Sequence, residues 1–222
     1  MAINPSDLAN GQVVTGFSFP VVAIYNNNNG AVSYTYGMDL ARGVKLDPQL
    51  ETTDDSNAFY ANNRTAETAQ RRFRAGTLKL TVDGLLVDAE KLIMGLGSGS
   101  VGSVTVGTGS SAVTVATTDY GDAQDIPYVG VGAIVRSQSN GVELFRAVVY
   151  PKVRFEQFSI TAQTQGEEID WQTSELSAKI SRDDTSNHNW QRFSEVLETE
   201  LEAYNAVRAM LGLSVAAALP TT

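Results

Sequence analysis

The dipeptide Asn140-Gly141 constrains this chain more than any other feature, because it joins two long runs of strand-forming residues. Tyr128 to Val135 and Val142 to Tyr150 are rich in β-branched and aromatic side chains, and Ser137-Gln138-Ser139-Asn140-Gly141 lies between them. Asn and Gly tolerate the positive φ of the tight turns that join antiparallel strands, so the chain is expected to be mainly β with a long hairpin here. A second hairpin follows from Val21 to Tyr25 and the alternating Val32, Tyr34 and Tyr36, which flank Asn26-Asn27-Asn28-Asn29-Gly30. Such an Asn run has the polar atoms of a glycan or metal site, but turn chemistry already accounts for it.

Other elements read from period and punctuation. Val13 to Phe19 is too irregular to separate one strand from two short ones. Leu78, Leu80 and Val82 alternate with Thr77, Lys79 and Thr81, the pattern of a half-buried strand. Leu85, Leu86, Ala89, Leu92, Ile93 and Leu96 fall at helical spacing, and Gly95 and Gly97 can end that helix, which is expected to lie across a sheet or barrel mouth. Pro151 should interrupt the ladder before Val153, Phe155 and Phe158 resume it. Further strands are expected over Glu168 to Thr173, with Ile169 and Trp171 on one face, and around Leu176, Ala178 and Ile180. Thr199-Glu200-Leu201-Glu202 is a capping box, with Leu201, Tyr204, Val207, Met210 and Leu211 as the apolar face of its helix and Gly212 as its stop.

A chain of 222 residues fits one elaborated all-β domain. Its expected parts are an N-terminal arm over 1–12, a long loop over 43–76, a Gly/Ser/Val-rich hairpin insertion over 97–118, a C-terminal helix over 199–211 and a loose tail over 212–222. The long loop carries Pro48, Asp54, Asp55, the aromatic pair Phe59 and Tyr60, Asn62, and then Arg64, Arg71, Arg72 and Arg74. Connections longer than about 12–15 residues are usually functional or disordered, and aromatics argue against simple disorder. Phe59 and Tyr60 either fold back on the core or plug into a neighbouring subunit, since aromatics and Arg are enriched at interface hot spots. These nine residues from Asp54 to Arg74 are therefore the candidate subunit interface.

Charge and composition narrow the function. There are 16 Lys and Arg against 25 Asp and Glu, a net charge of -9, and no cysteine. An acidic chain is poorly suited to gripping phosphates, and the arginine cluster reads as a solvated or subunit-contacting patch rather than a DNA reader. Without cysteine there are no disulfides and no thiolate metal sites. Met1 to Pro5 has neither a basic region nor an apolar run, so no secretory leader is expected, and no stretch is long and apolar enough to span a membrane. His188 is the one histidine, in Asp183-Asp184-Thr185-Ser186-Asn187-His188-Asn189, which has oxygen ligands but not the spacing of an EF-hand. No Gly-x-Ser-x-Gly elbow and no phosphate-binding loop occur; Gly97-Ser98-Gly99-Ser100-Val101-Gly102 is only superficially similar to the former. Glu167 with Glu168, or Asp54 with Asp55, is adjacent in sequence, which does not set the separation that glycosidase carboxylates need. No enzyme activity, metal or cofactor is expected.

Four stretches together resemble the major tail proteins of siphophages: Tyr128-Val129-Gly130-Val131-Gly132, Phe145 to Phe155, Gln163-Thr164-Gln165-Gly166-Glu167, and Trp171-Gln172-Thr173. Asn57-Ala58-Phe59-Tyr60-Ala61-Asn62, Glu67 and the strand Gly76 to Val82 extend the resemblance over most of residues 17–211, with the 97–118 insertion and the two ends as departures. It implies a β-sandwich or barrel with one flanking α-helix, similar to phage tail tube and type VI secretion tube proteins. It also implies a structural subunit of the virion, assembled in the host cytoplasm, that closes into hexameric rings. Such rings stack around a tape-measure protein, with the nine residues from Asp54 to Arg74 as candidate ring-stacking contacts, meet tail terminator and baseplate proteins at the ends, and conduct DNA without binding it specifically. Acidic residues facing the bore would repel phosphates and keep that transit fast. The competing expectation is a carbohydrate-binding β-module of a phage or cell surface, with Tyr34, Tyr36 and the Asn turn as its face.

Overall fold

The computed structural model describes residues 11–40, 42–52, 58–61, 64–68, 72–97, 101–122, 124–157 and 173–220. Residues 1–10 of the expected arm, 98–100 of the insertion and 168–172 of one expected strand lie outside them. Strands β1 (Val13–Asn28) and β2 (Ala31–Asp39) form the first hairpin, turning at Asn29 and Gly30 with φ of 52° and 88°. Next come β3 (Gly43–Thr52), the short hairpin of β4 (Ala58–Ala61) and β5 (Arg64–Thr68), β6 (Phe73–Val82) and helix α1 (Val87–Ile93). A separate hairpin, β7 (Val101–Val106) with β8 (Val113–Thr118), precedes β9 (Val129–Ser139) and β10 (Val142–Phe155), which turn at Asn140 and Gly141 as expected. The chain ends with β11 (Ser174–Ser181), the two-residue β12 (Arg192–Phe193) and helix α2 (Glu200–Met210).

The protein is mainly β, with a large antiparallel sheet and two helices. Among the described residues the sheet has eight strands in the order β2-β1-β9-β10-β11-β6-β3, with β12 pairing on β10. Its two edge strands, β2 and β3, are joined by residues 40–42 alone. Leu40 donates its N–H to Pro20 O at 2.9 Å, and the Phe17 ring of β1 lies against Gly43 of β3. The sheet must therefore curl on itself, and the period-2 alternation of its strands then separates two cores. Val22, Leu78, Leu80, Val129, Val131, Tyr150, Val153 and Ile180 face inward and pack on Ala89, Ile93 and Met94 of α1. Val21, Ala23, Ile134, Ala147 and Val149 point the other way and are covered by Ala203, Tyr204, Val207 and Leu211 of α2 and its end.

Two glycines explain how α2 comes so close. A methyl group at Gly132 would sit 2.5 Å from Val207 Cγ1 and 3.1 Å from Val149 Cγ2, and one at Gly130 would sit 2.6 Å from Leu211 Cδ2. The helix is fixed at its start by the expected capping box: Thr199 Oγ1 accepts from Glu202 N, and the Glu202 carboxylate accepts from Thr199 N. Arg136 of β9 then clamps Glu200, its Nη2 lying 2.6 and 2.7 Å from the two carboxylate oxygens, while Ser18 Oγ of β1 donates at 2.6 Å. Such bidentate pairs fix orientation as well as adding energy.

The structure corrects several expectations. The stretch 43–76 is not a structureless loop: it holds β3, β4, β5 and the start of β6. In β3, Val44, Leu46, Pro48 and Leu50 alternate with Lys45, Asp47, Gln49 and Glu51, and the strand tolerates Pro48 because it lies at the sheet edge with β6 as its one ladder partner. Val13 to Asn28 is one strand whose register on β9 shifts between Val14 and Gly16 and between Ser18 and Val21, which is why its apolar pattern is irregular. The interruption expected at Pro151 is present as a register shift of β10 on β9 between Tyr150 and Val153, after which the strand continues to Phe155. The helix expected from Leu85 spans only Val87–Ile93. The C-terminal tail is docked, not loose. Asn205 donates to Ala216 O at 3.1 Å and accepts from Ala216 N at 2.7 Å, and Leu213, Ala216 and Leu219 pack on the outer core.

Overpacking a core contact costs about 1–3 kcal/mol, so Gly132→Ala is expected to lower stability by that much in a urea titration, with no change in m-value. Thr199→Ala is expected to cost about 1 kcal/mol in the same measurement.

Candidate assembly surface

The nine candidate interface residues fall only partly among the described residues. Asp54, Asp55, Asn62 and Arg71 lie outside them. Phe59, Tyr60 and Arg64 sit on the β4–β5 hairpin, where Phe59 is opposite Glu67, Tyr60 opposite Thr65 and Ala61 opposite Arg64. That hairpin leaves the sheet between Thr52 of β3 and Phe73 of β6, so it marks one end of the curled body. Arg72 and Arg74 are exposed at its base.

Here the sheet supplies what the sequence alone concealed. Ladder pairing of β6 with β11 brings Lys179 opposite Thr77, and the chain then continues to Arg182. Arg74, Lys179, Arg182 and Glu51 line one groove of about 660 Å³ whose floor includes Phe73 and Gly76. Arg182 donates to Phe73 O and lies over its ring, and Phe73 stacks on Trp190 with centroids 4.8 Å apart. The alternation of β11, with Leu176, Ala178 and Ile180 inward, is the signal that would have placed Lys179 outward.

A second polar cluster is built around α1, which follows β6 in the chain. Tyr120 donates to Glu90, Gln124 Nε2 donates to Met94 O at 2.7 Å, and Arg42 pairs with Asp83, so the segment after β8 runs along the helix. Asp88, Asp119, Asp122 and Asp125 are exposed there, and burial pushes the Tyr120 hydroxyl up to about 12, aided by Glu90. Beside α1 roots the β7–β8 hairpin, in which Val104 opposes Val115 and Val106 opposes Val113. All four valines are about half exposed or more, between 48% and 61%. They share one face of a two-stranded ribbon, a unit marginal in water without a partner surface.

Polar networks hold the β1–β2 hairpin to the loop after β11. Lys152 Nζ lies 2.8 and 3.0 Å from the Asp184 carboxylate oxygens, and Tyr25 OH donates to Asp184 Oδ2 at 2.9 Å. The Lys152 bond holds the Asp184 carboxyl below its usual range, against partial burial and with the help of Tyr25. The neighbouring Asp183 shapes the loop: its Oδ1 accepts from Thr185 Oγ1 at 2.6 Å and Asn189 N at 2.8 Å. His188, at φ 50°, turns back so that its Nδ1 lies 3.3 Å from Asp183 O. Tyr34 also serves packing: it meets Tyr25 edge-on at 5.8 Å and donates to Pro151 O at 3.1 Å, whereas Tyr36 is 77% exposed.

Among the described residues no group of three or more His, Asp and Glu is placed to hold a metal ion, and no helix is long and apolar enough to cross a membrane. No protein-family model matches the chain, and no curated protein matches it either.

The Asp184 contribution has a definite pH sign. Its carboxyl is held low in the folded chain, so the stability it adds is complete above the unfolded value of about 3.9 and is lost as pH falls through the depressed folded value. Unfolding titrations of the wild type and Asp184→Asn are expected to differ at pH 7 and to converge below about pH 4. A constant difference down to the most acid pH would contradict this account.

Proposed function

We propose that this chain is the tube-forming subunit of a phage tail: a structural protein that closes into rings, stacks them around a tape-measure protein, and forms the conduit for DNA. The observation that carries the reading is where the unfinished surface lies. Both faces of the β1–β9–β10 layer are covered by the chain's own helices, α1 within and α2 without. The hairpins β4–β5 and β7–β8 are separate two-stranded sheets outside the main one, the second with an exposed valine face. A body whose own core is complete but which carries two unlike hairpins outside its main sheet suits head-to-tail association, in which the same two different patches meet at every junction.

The residues that resemble the siphophage major tail proteins support this reading from the sequence side. Val129 to Gly132 and Phe145 to Phe155 fall in β9 and β10, at the centre of the sheet and partly under α2, with Tyr128 immediately before β9. The net charge of -9 suits a wall that DNA must pass without sticking. In the assembly the partners are other copies of the chain, the tape-measure protein, and the terminator and baseplate proteins at the tube ends.

Negative-stain electron microscopy of the purified chain over a range of concentrations is the test. Rings or hollow tubes are expected. Dispersed monomers at every concentration, together with retention on a glycan array, would replace this reading with that of a carbohydrate-binding module.

A further inference from the structure

Asn140 and Gly141 serve the fold as a turn, but the same two residues are also a reactive pair. Asn-Gly occurs three times in the chain, at 10–11, 29–30 and 140–141, and Asn10 lies outside the described residues. The glycine of such a pair has no side chain to shield its amide nitrogen, which is one five-membered ring away from the side-chain carbonyl of the asparagine. The turns at 29–30 and 140–141 are both exposed, and both asparagines are left-handed, at φ 52° and 50°. Their surroundings differ. Gly30 donates its N–H to Asn27 Oδ1 at 2.8 Å, and a methyl group on it would stand 3.8 Å from Asp184 O. Asn26 Nδ2 donates across that hairpin to Thr35 Oγ1 at 2.9 Å, and Tyr25 ties the same strand to Asp184. Around Gly141, chain neighbours apart, no described atom stands within 4 Å of the place a methyl group would take. Its N–H has no acceptor among the described residues.

We propose that Asn140 is a site of spontaneous deamidation, and that Asn29 is protected from the same reaction by the contacts of its turn. The inference is independent of the tube reading. The Gly141 nitrogen attacks Cγ of Asn140, the new N–C bond closes a succinimide ring and the Cγ–Nδ2 bond breaks. The proton lost by Gly141 leaves with the amide nitrogen as ammonia. Water then opens the ring: addition at Cγ gives aspartate, and addition at the main-chain carbonyl gives isoaspartate. An N–H already held by an acceptor is harder to remove, and the ring closes only when the turn opens locally and rotates the nitrogen onto Cγ. The bond from Gly30 to Asn27 opposes both steps at Asn29. Either product adds a negative charge to the hairpin tip that carries Glu143. Isoaspartate also adds one atom to the main chain of a two-residue turn whose φ values of 50° and 81° fit the pairing of Ser139 with Val142. Register at the tip is then lost, while buried Ser137 and Leu144 hold the hairpin below it.

Incubation of the full folded chain in mildly alkaline buffer at physiological temperature, followed by tryptic peptide mapping, tests this, with an unincubated control for deamidation during digestion. Asn140 is the one asparagine of the peptide 137–146, and fragment ions separate Asn29 from Asn10 in the peptide that holds both. A net hydrogen bond shifts an equilibrium by about two- to tenfold, so Asn140 is expected to convert faster than Asn29 by about that factor in the folded chain. In chain unfolded by urea the two sites are expected to convert alike, because glycine follows both. Asn27→Ala is expected to raise the Asn29 rate to that of Asn140, with Asn140 unchanged as the internal control. Equal rates in the folded chain, or faster conversion at Asn29, overturn the proposal. A difference that persists in urea also overturns it, by assigning the preference to sequence neighbours rather than to the fold. Asn140 that survives an incubation which converts it in urea removes the site, and an Asn29 rate indifferent to Asn27→Ala removes the protection.

Discussion

The link over residues 40–42 is the constraint on which the rest depends. In a flat sheet of this order, β2 and β3 would lie six strand spacings apart, about 29 Å at the usual 4.8 Å. Four Cα steps from Asp39 to Gly43 reach at most about 14 Å. The sheet has no option but to curl, and the curl makes one face concave. Apolar residues at every second position of β1, β6, β9, β10 and β11 then enclose a core too small for a second layer of sheet but large enough for the short helix α1. The convex face over β1, β9 and β10 needs its own cover, and α2 supplies it at a distance set by Gly130 and Gly132. Both helices thus follow from a three-residue connection and the period of a strand.

The features legible in the sequence are those governed by local physics. Asn140-Gly141 and Asn29-Gly30 set their turns through positive φ, Leu78, Leu80 and Val82 declare their face by alternation, and Thr199 with Glu202 marks the start of α2 within a single turn of helix. Strand β3 was harder to see, because Pro48 and a run of polar residues argue against a strand unless its place at the edge is already known. That place is decided by pairing with β6, roughly 30 residues away. The docked tail was hidden for a similar reason. Ala216 advertises nothing, and its anchor is the side-chain amide of Asn205. Of the candidate surface, the sequence singled out the arginines near β6 but not Lys179 or Arg182, which reach them only through the β6–β11 ladder.

Partly buried and exposed charges play different parts. Arg136 with Glu200, and Lys152 with Asp184, are at least partly shielded and multiply hydrogen-bonded, so they fix α2 on the sheet and the β1–β2 hairpin on the loop after β11. Their partners are committed within the fold. Arg74, Asp88, Asp119 and Asp122 are exposed and contribute little to folding, since surface pairs are worth about 0–1 kcal/mol each. A charge that does little for the fold is free to be selected for what it meets outside.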